Sequence, residues 1–233
     1  MIRNFLFLIT FFLGIIFISL IFIPSLFLPQ QVTLFGGKIM GYWSAFCLRI
    51  ILSTKIIIKG KNNIINNESF FIASSHQSMF ETFFLQTIFN SPIFILKKEL
   101  LKIPLFGWYL KKIGSISIDR NRTTKENLGF FDKISQTINK SKRPLIIFPQ
   151  GTRLDPNERL PFKKGAGKIY EQIKLKCLPV AINSGKIWPK KGKLKSNLVL
   201  TISILEPIEE GLDKNVFLKN LQNKIYSELD ILN

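Results

Sequence analysis

Phe70-Phe71-Ile72-Ala73-Ser74-Ser75-His76-Gln77-Ser78-Met79-Phe80-Glu81 passes from an apolar run through a polar turn into a helix start. Phe70 to Ser74 has strand length and little polar interruption, the pattern of a strand buried on both faces. Ser78-Met79-Phe80-Glu81 has the form of a capping box, with a hydroxyl ahead of the first turn and a carboxylate three positions on. A buried strand feeding a capped helix is the repeating unit of an α/β domain.

The same alternation recurs outward from this stretch. Short apolar runs predict further strands at Lys55 to Lys59, Ile93 to Leu96, Ser115 to Ile118, Leu145 to Phe148, Leu178 to Ile182 and Leu198 to Leu205. Helices are expected after Ser78, Leu100, Thr123, Lys163 and Lys214, with a second capping box at Thr123 to Glu126. The basic stretch Ser184 to Asn197 reads as the one structureless loop. In open α/β sheets, ligands gather outside the carboxyl ends of the strands. Polar sequences stand at those places: Ser74 to Ser78, Lys97-Lys98-Glu99, Asp119-Arg120, Pro149 to Arg153 and Asn183-Ser184-Gly185.

His76 is the chain's only histidine. Within one continuous helix, residues five apart lie about 140° apart around the axis, so His76 and Glu81 would not face each other. With His76 in the turn and Glu81 in the first helical turn, the carboxylate reaches an imidazole nitrogen. That contact would fix the tautomer and stabilise the imidazolium formed when the other nitrogen takes a proton from a hydroxyl. The plainer readings are a capping role for Glu81 and a hydrogen-bonded structural role for His76. In Phe148-Pro149-Gln150-Gly151-Thr152-Arg153, Gly151 permits a positive φ and leaves backbone N–H groups and the Arg153 fork for an anion such as phosphate. Lys97 and Arg120 would add charge to the same place, or be ordinary solvated cations. Gly165-Ala166-Gly167-Lys168 lacks the rest of a Walker-type phosphate loop, which argues against nucleotide hydrolysis.

From Asn4 to Gly37 no charged residue occurs in the 233-residue chain, and Phe5 to Leu28 is nearly all apolar. That stretch has membrane length, with Pro24 and Pro29 expected to bend or stop it, so it would span or re-enter a bilayer. A signal peptide competes, but no small-residue cleavage pattern follows. A second apolar stretch, Ile39 to Leu52, carries Tyr42, Trp43 and Arg49 beside Lys38, as an interfacial helix does; a core helix is the alternative. The expected division is residues 1–53 for anchoring and residues 54–233 for the α/β domain. Arg3 and the many later lysines favour both flanks, and the catalytic domain, on the cytoplasmic face of the membrane.

The net charge is +18, from 33 Lys and Arg against 15 Asp and Glu. It suits an anionic membrane or a phosphorylated substrate, although a chain so rich in Ile, Lys, Asn and Phe also suggests nucleotide bias. Nucleic acid is not an expected partner, because the aromatic residues concentrate in the apolar amino-terminal third rather than the basic loop. Cys47 and Cys177 are too few and too scattered for a disulfide framework or a zinc site.

In order, these segments resemble the glycerolipid acyltransferases, most closely those acting on 1-acyl-glycerol 3-phosphate. His76 to Glu81 resembles the His-x4-Asp/Glu block, Gly114 to Arg120 the second block, Phe148 to Arg153 the Phe-Pro-Glu-Gly-Thr-Arg block and Leu178 to Gly185 the fourth. Lys97 to Leu100 and Pro104 to Trp108 are similar to the family between the first two blocks. The resemblance implies a mixed, largely parallel sheet flanked by helices and docked to the membrane by an amino-terminal pair of helices. It implies transfer of a fatty acyl chain from acyl-CoA or acyl carrier protein to the sn-2 hydroxyl of lysophosphatidate, with His76 as base and Glu81 as its partner. Lys97, Arg120 and Arg153, with Gln150, Gly151 and Thr152, would line the acceptor site, and no metal, cofactor or covalent acyl-enzyme is expected. Gln150 stands where Glu is usual, removing a charge, and leaves another lysolipid or glycerol 3-phosphate as alternative acceptors. A non-catalytic, membrane-tethered binder of anionic lipids, gripping through Lys186 to Lys195, is the alternative of another class.

Overall fold

The computed structural model of the chain describes residues 2–66, 68–118 and 129–232. Its first elements are a helical hairpin. α1 (Ile2–Ile21) ends at a 3-10 turn, Ile23–Leu26, and α2 (Gln30–Ile51) returns. Pro24 lies inside the turn and Pro29 directly precedes α2, positions where a missing N–H and a fixed φ are tolerated. Thr33 Oγ1, 3.1 Å from both Ser25 O and Ser25 Oγ, closes the corner.

There follow β1 (Lys55–Lys59), β2 (Phe70–Ser74), α3 (Phe80–Ile88), β3 (Ile93–Lys97), α4 (Phe106–Lys112), β4 (Ile116–Ile118), α5 (Phe130–Ser141), β5 (Leu145–Ile147), α6 (Lys164–Ile173), β6 (Lys176–Ile182), β7 (Val199–Ile204) and α7 (Lys214–Leu232). The sheet has 7 strands in the order β1-β7-β6-β2-β5-β3-β4. Strands β2 to β6 are parallel; β7 runs antiparallel to β6 and parallel to β1. The α/β class expected from the alternating runs is therefore present, and so is the mixed, largely parallel sheet that the resemblance implies.

Two apolar cores lie on opposite faces of this sheet. Alternating residues of β2 divide between them, as the period of a strand requires: Phe70 and Ile72 join α1, α2 and α3, whereas Phe71 and Ala73 join α5, α6 and α7. Cys47 belongs to the first core and Cys177 to the second, so the sheet separates the two thiols. Burial pushes the Cys177 thiol well above its ordinary range, making it inert.

Three expectations about boundaries are corrected. The second helix starts at Gln30 rather than near Ile39, because the polar residues that interrupt the apolar run are used: Gln30 Nε2 donates to Lys112 O at 2.9 Å and Thr33 closes the corner. After Leu100 the chain makes only a 3-10 turn, Lys98–Lys102; α4 waits until Phe106, past Pro104 and a Leu105 held at φ +61°. The basic loop is not structureless, since it opens with a 3-10 turn, Ser184–Lys186, and buries Ile187 and Trp188. The capping box at Thr123 to Glu126, and the helix start it predicts, lie outside the described residues.

Arg143 joins the elements behind β5. Its Nε donates to Ser91 O at 2.6 Å, and its terminal nitrogens donate to Ile113 O at 2.9 Å and Pro92 O at 3.4 Å. Burial lowers its guanidinium to about 10, which still leaves it cationic at neutral pH. Arg143→Ala is expected to destabilise the fold by about 2–4 kcal/mol, by leaving buried carbonyls without donors. Denaturant unfolding checks this, and Arg143→Lys is expected to recover only part of the loss, because one ammonium does not reproduce the planar fork.

Candidate active site

β2 sits between β6 and β5, and all three end at the same edge. The β2–β6 ladder continues past the strand ends: Ser75 N donates to Val180 O at 2.9 Å, and Ser75 Oγ accepts from Ile182 N at 2.8 Å. The main chain is thus fixed immediately before His76. On the other side, His76 N donates to Gln150 Oε1 at 2.6 Å, and Leu154 N donates to His76 O at 2.9 Å. The imidazole stacks on the Phe148 ring, with centroids 4.1 Å apart and planes 21° from parallel.

Glu81 lies in the first turn of α3 and has no solvent exposure. Its Oε1 accepts from Gln77 N at 3.3 Å and Ser78 N at 3.2 Å, and Oε2 accepts from Ser78 N at 3.0 Å. Ser184 Oγ, beyond the end of β6, donates to Oε1 as well. Oε2 also lies 3.4 Å from His76 Nδ1, a buried nitrogen that has no well-aligned hydrogen bond. Such contacts in unliganded sites are often long and tighten when substrate is bound. The His76 side chain keeps 15% exposure, which falls on the rest of the ring because Nδ1 is buried. The capping and charge-pairing readings of Glu81 therefore describe the same carboxylate at once. The cap itself differs from the expected box, since Ser78 Oγ accepts from Phe80 N at 3.2 Å.

Gly151 has φ +74°, the left-handed conformation expected for it, and Gly151 N donates to Phe148 O at 2.9 Å. Thr152 is exposed and Arg153 half-buried at the mouth of this turn. Lys190, which the sequence placed only within a generally basic loop, reaches them: its Nζ lies 3.2 Å from Thr152 Oγ1 and donates to Arg153 O at 3.1 Å. Lys97 is exposed at the carboxyl end of β3, on the same edge as His76 but beyond β5. Arg120 lies outside the described residues. Gln150 is buried; besides its bond to His76 N, its side chain hydrogen-bonds the Tyr226 hydroxyl, which in turn donates to Leu160 O. Burial pushes that hydroxyl up, and the bond from Gln150 opposes the shift.

The structure thus joins His76, Glu81 and Gln150 in direct contact, with the Gly151 to Arg153 turn alongside. Ser184 was missed as a partner of Glu81. The polar run after β6 marked its place, but the contact spans 103 positions and depends on β6 lying beside β2.

The Acyltransferase family model matches residues 55–183. The 1-acyl-sn-glycerol-3-phosphate acyltransferase of Pseudomonas aeruginosa is 35% identical over 156 residues, covering 66% of this chain and 60% of that protein. The enzyme of the same name from Saccharomyces cerevisiae is 31% identical over 194 residues, covering 78% and 63%. That of Helicobacter pylori is 36% identical over 164 residues and 67% of each chain. The chain therefore spans less than two thirds of the length of the first two relatives. The crystal structure of the 1-acyl-sn-glycerophosphate acyltransferase PlsC from Thermotoga maritima superposes with a TM-score of 0.81 at 21% identity, covering 99% of this chain and 96% of that one, and has the same fold.

Removing the Glu81 side chain strips donors' acceptors from the start of α3. Glu81→Ala is expected to lower stability by about 2–4 kcal/mol, while Glu81→Gln, which keeps a carbonyl for Gln77 N and Ser78 N, loses no more than about 1–2 kcal/mol. Urea unfolding of the two variants measures the difference.

Proposed function

The chain belongs to the Acyltransferase family, and from that premise we propose that it moves a fatty acyl chain from acyl-CoA or acyl carrier protein to the sn-2 hydroxyl of 1-acyl-glycerol 3-phosphate, forming phosphatidic acid. The observation that carries this reading is a carboxylate with no solvent exposure 3.4 Å from the buried nitrogen of a partly exposed imidazole. Glu81 keeps the proton on Nδ1, leaving Nε2 to take the proton of the acceptor hydroxyl. The freed oxygen attacks the thioester carbonyl, a C–O bond forms, the C–S bond breaks, and the proton passes from His76 to the departing thiolate. Glu81 offsets the imidazolium charge between those transfers.

Arg153, Lys97 and Arg120, with Thr152, hold the acceptor phosphate in this proposal, and Gly151, whose N–H is taken by Phe148 O, shapes the turn that presents them; guanidinium and ammonium groups suit that anion. Gln150 acts as scaffolding, because its carbonyl already holds His76 N and its side chain holds Tyr226. Its replacement of the usual Glu therefore changes how two loops are joined and gives no ground for preferring another acceptor.

Residues 1–53 are proposed to anchor residues 54–233 to the cytoplasmic face of a membrane. α1 is long and apolar enough to cross a bilayer, with a mean hydropathy of 2.6, and only 11% of that stretch is buried. Yet both ends of α1 are tied to the α/β domain, through Asn4 Nδ2 to Leu194 O at 3.1 Å and Tyr109 OH to Ser19 O at 2.6 Å. A helix lying along the domain supports a hairpin that dips into one leaflet.

With the full chain in nanodiscs, lysophosphatidate and an acyl thioester are expected to yield phosphatidate, measured by mass spectrometry. Activity on another lysolipid but not on lysophosphatidate would overturn the acceptor. His76→Ala should abolish turnover. Glu81→Gln should lower kcat by about 10³–10⁴-fold despite its intact fold, because its amide would donate to Nδ1 and move the ring proton to Nε2. Vesicle binding should survive about 1 M salt, since apolar contacts are not screened; release by salt would instead favour gripping by the basic loop.

A further inference from the structure

The far side of the Glu81 carboxylate is held by a group to which the mechanism above gives no task. Ser184 Oγ donates to Glu81 Oε1, and both residues have no solvent exposure. Ser184 begins the 3-10 turn after β6, and this turn is rigidly specified. Ile187 N and Trp188 N both donate to Ser184 O, at 3.0 and 2.8 Å. Gly185 N donates to Gln77 Oε1 at 3.1 Å, and a Cβ at Gly185 would stand 2.9 Å from Gln77 Cβ. The two loops therefore approach as closely as glycine allows.

Trp188, one turn further on, connects this turn to the amino-terminal hairpin. Its ring meets Phe7 at 5.0 Å and Phe11 at 4.8 Å, both edge to face. Phe11 also meets Phe83 at 5.6 Å, and Phe83 lies on α3 two residues after Glu81. Phe7 and Phe11 are wholly buried, while Phe5, Leu13 and Phe17 on the same helix are mostly exposed. α1 thus touches both bodies whose separation sets the Ser184–Glu81 bond, α3 through Phe83 and the turn through Trp188.

We propose that Ser184 is a positioning residue for the Glu81–His76 pair and that α1, through Phe7, Phe11 and Trp188, sets where Ser184 stands, so that seating of the amino-terminal helix governs turnover. The proposal rests on the acyltransferase reading of the site. Its physical basis is the margin at His76. Oε2 stands 3.4 Å from Nδ1, and a working hydrogen bond is shorter by a few tenths of an ångström. Without the Ser184 hydroxyl, Oε1 keeps only the long main-chain bonds from Gln77 N and Ser78 N, at 3.3 and 3.2 Å, and the rotation that aims Oε2 at Nδ1 loses its one side-chain donor. Misplacements of about 1 Å cost about 10²-fold in rate when reacting groups must be aligned.

The test compares wild type, Ser184→Ala, Ser184→Thr, Trp188→Leu, Phe11→Leu and the double variant Ser184→Ala/Trp188→Leu in nanodiscs, with kcat, KM and thermal midpoint for each. Ser184→Ala is expected to lower kcat by about 10–100-fold with KM for both substrates within about two-fold, and Ser184→Thr, which keeps the hydroxyl, to recover most of the rate. Trp188→Leu and Phe11→Leu should lower kcat in the same way while remaining membrane-bound. The double variant should fall no further than the slower single variant, the sign of groups acting in series. A Ser184→Ala enzyme at wild-type rate, or a double variant whose losses multiply, overturns the proposal; if Trp188→Leu loses its folding transition, Phe11→Leu paired with Ser184→Ala gives the same reading. An inactive wild type would sink the acyltransferase reading instead, and so the two failures are distinguishable.

Discussion

A carboxylate fully removed from water loses several kcal/mol of solvation unless its lone pairs are met by donors. Glu81 is such a group, and the donors that meet it come from separate parts of the chain. Gln77 N and Ser78 N belong to the turn after β2, Ser184 Oγ to the turn after β6, and α3 directs the positive end of its dipole at the same atoms. The remaining direction faces His76 Nδ1. Meeting the lone pairs of the Glu81 carboxylate thus requires β2, β6 and α3 to be correctly assembled, and the one side left open is the side that faces His76 Nδ1.

The strand order explains why these turns meet. The connection from β2 to β3 passes over β5, and the connection from β5 to β6 passes back over β2. At such a reversal, loops leave the carboxyl ends in opposite directions and open a crevice between them. His76 stands in it with Gln150 on the β5 side and Ser184 on the β6 side. The antiparallel pair β6–β7 puts its connecting loop at this same edge, which is how Ser184 and Lys190 come to the site, and β7 then joins the sheet to β1.

Strands were legible wherever both faces are buried. Phe70 to Ser74, a central strand buried along its whole length, and Lys55 to Lys59, an edge strand whose apolar middle lies between exposed lysines, have the expected limits because their apolar runs end where burial or the strand does. The His76–Glu81 pairing was legible because it is local, set by one turn and one helix start. Ser184 was not, because its partner is chosen by sheet order, and neither was the contact between Gln150 and Tyr226 of α7, which lies 76 positions away. Gln30 and Thr33 hid the start of α2 for a different reason: polar residues that break an apolar pattern look like a boundary until their partners, Lys112 O and the Ser25 oxygens, are known. The basic loop was misread because its lysines masked the buried Ile187 and Trp188 between them.

α1 resists reading from sequence for the most general reason. A soluble amphipathic helix announces its buried face by contrast with a polar one. In α1 the face toward the protein and the opposite face are equally apolar: Phe7 and Phe11 are buried against Trp188, while Phe5, Leu13 and Phe17 are exposed. Composition therefore reports that the helix meets apolar surroundings on all sides and nothing of which side is protein. The distinction is made by shape, by aromatic edges at 5.0 and 4.8 Å on one side and the absence of any polar side chain to be satisfied by water along most of the other. A helix built this way is held to the α/β domain by packing geometry and not by hydrophobicity, since an apolar medium would solvate either face equally well. In the proposed arrangement, its aromatic contacts are the part of the anchor through which the seating of α1 reaches Ser184 and Glu81.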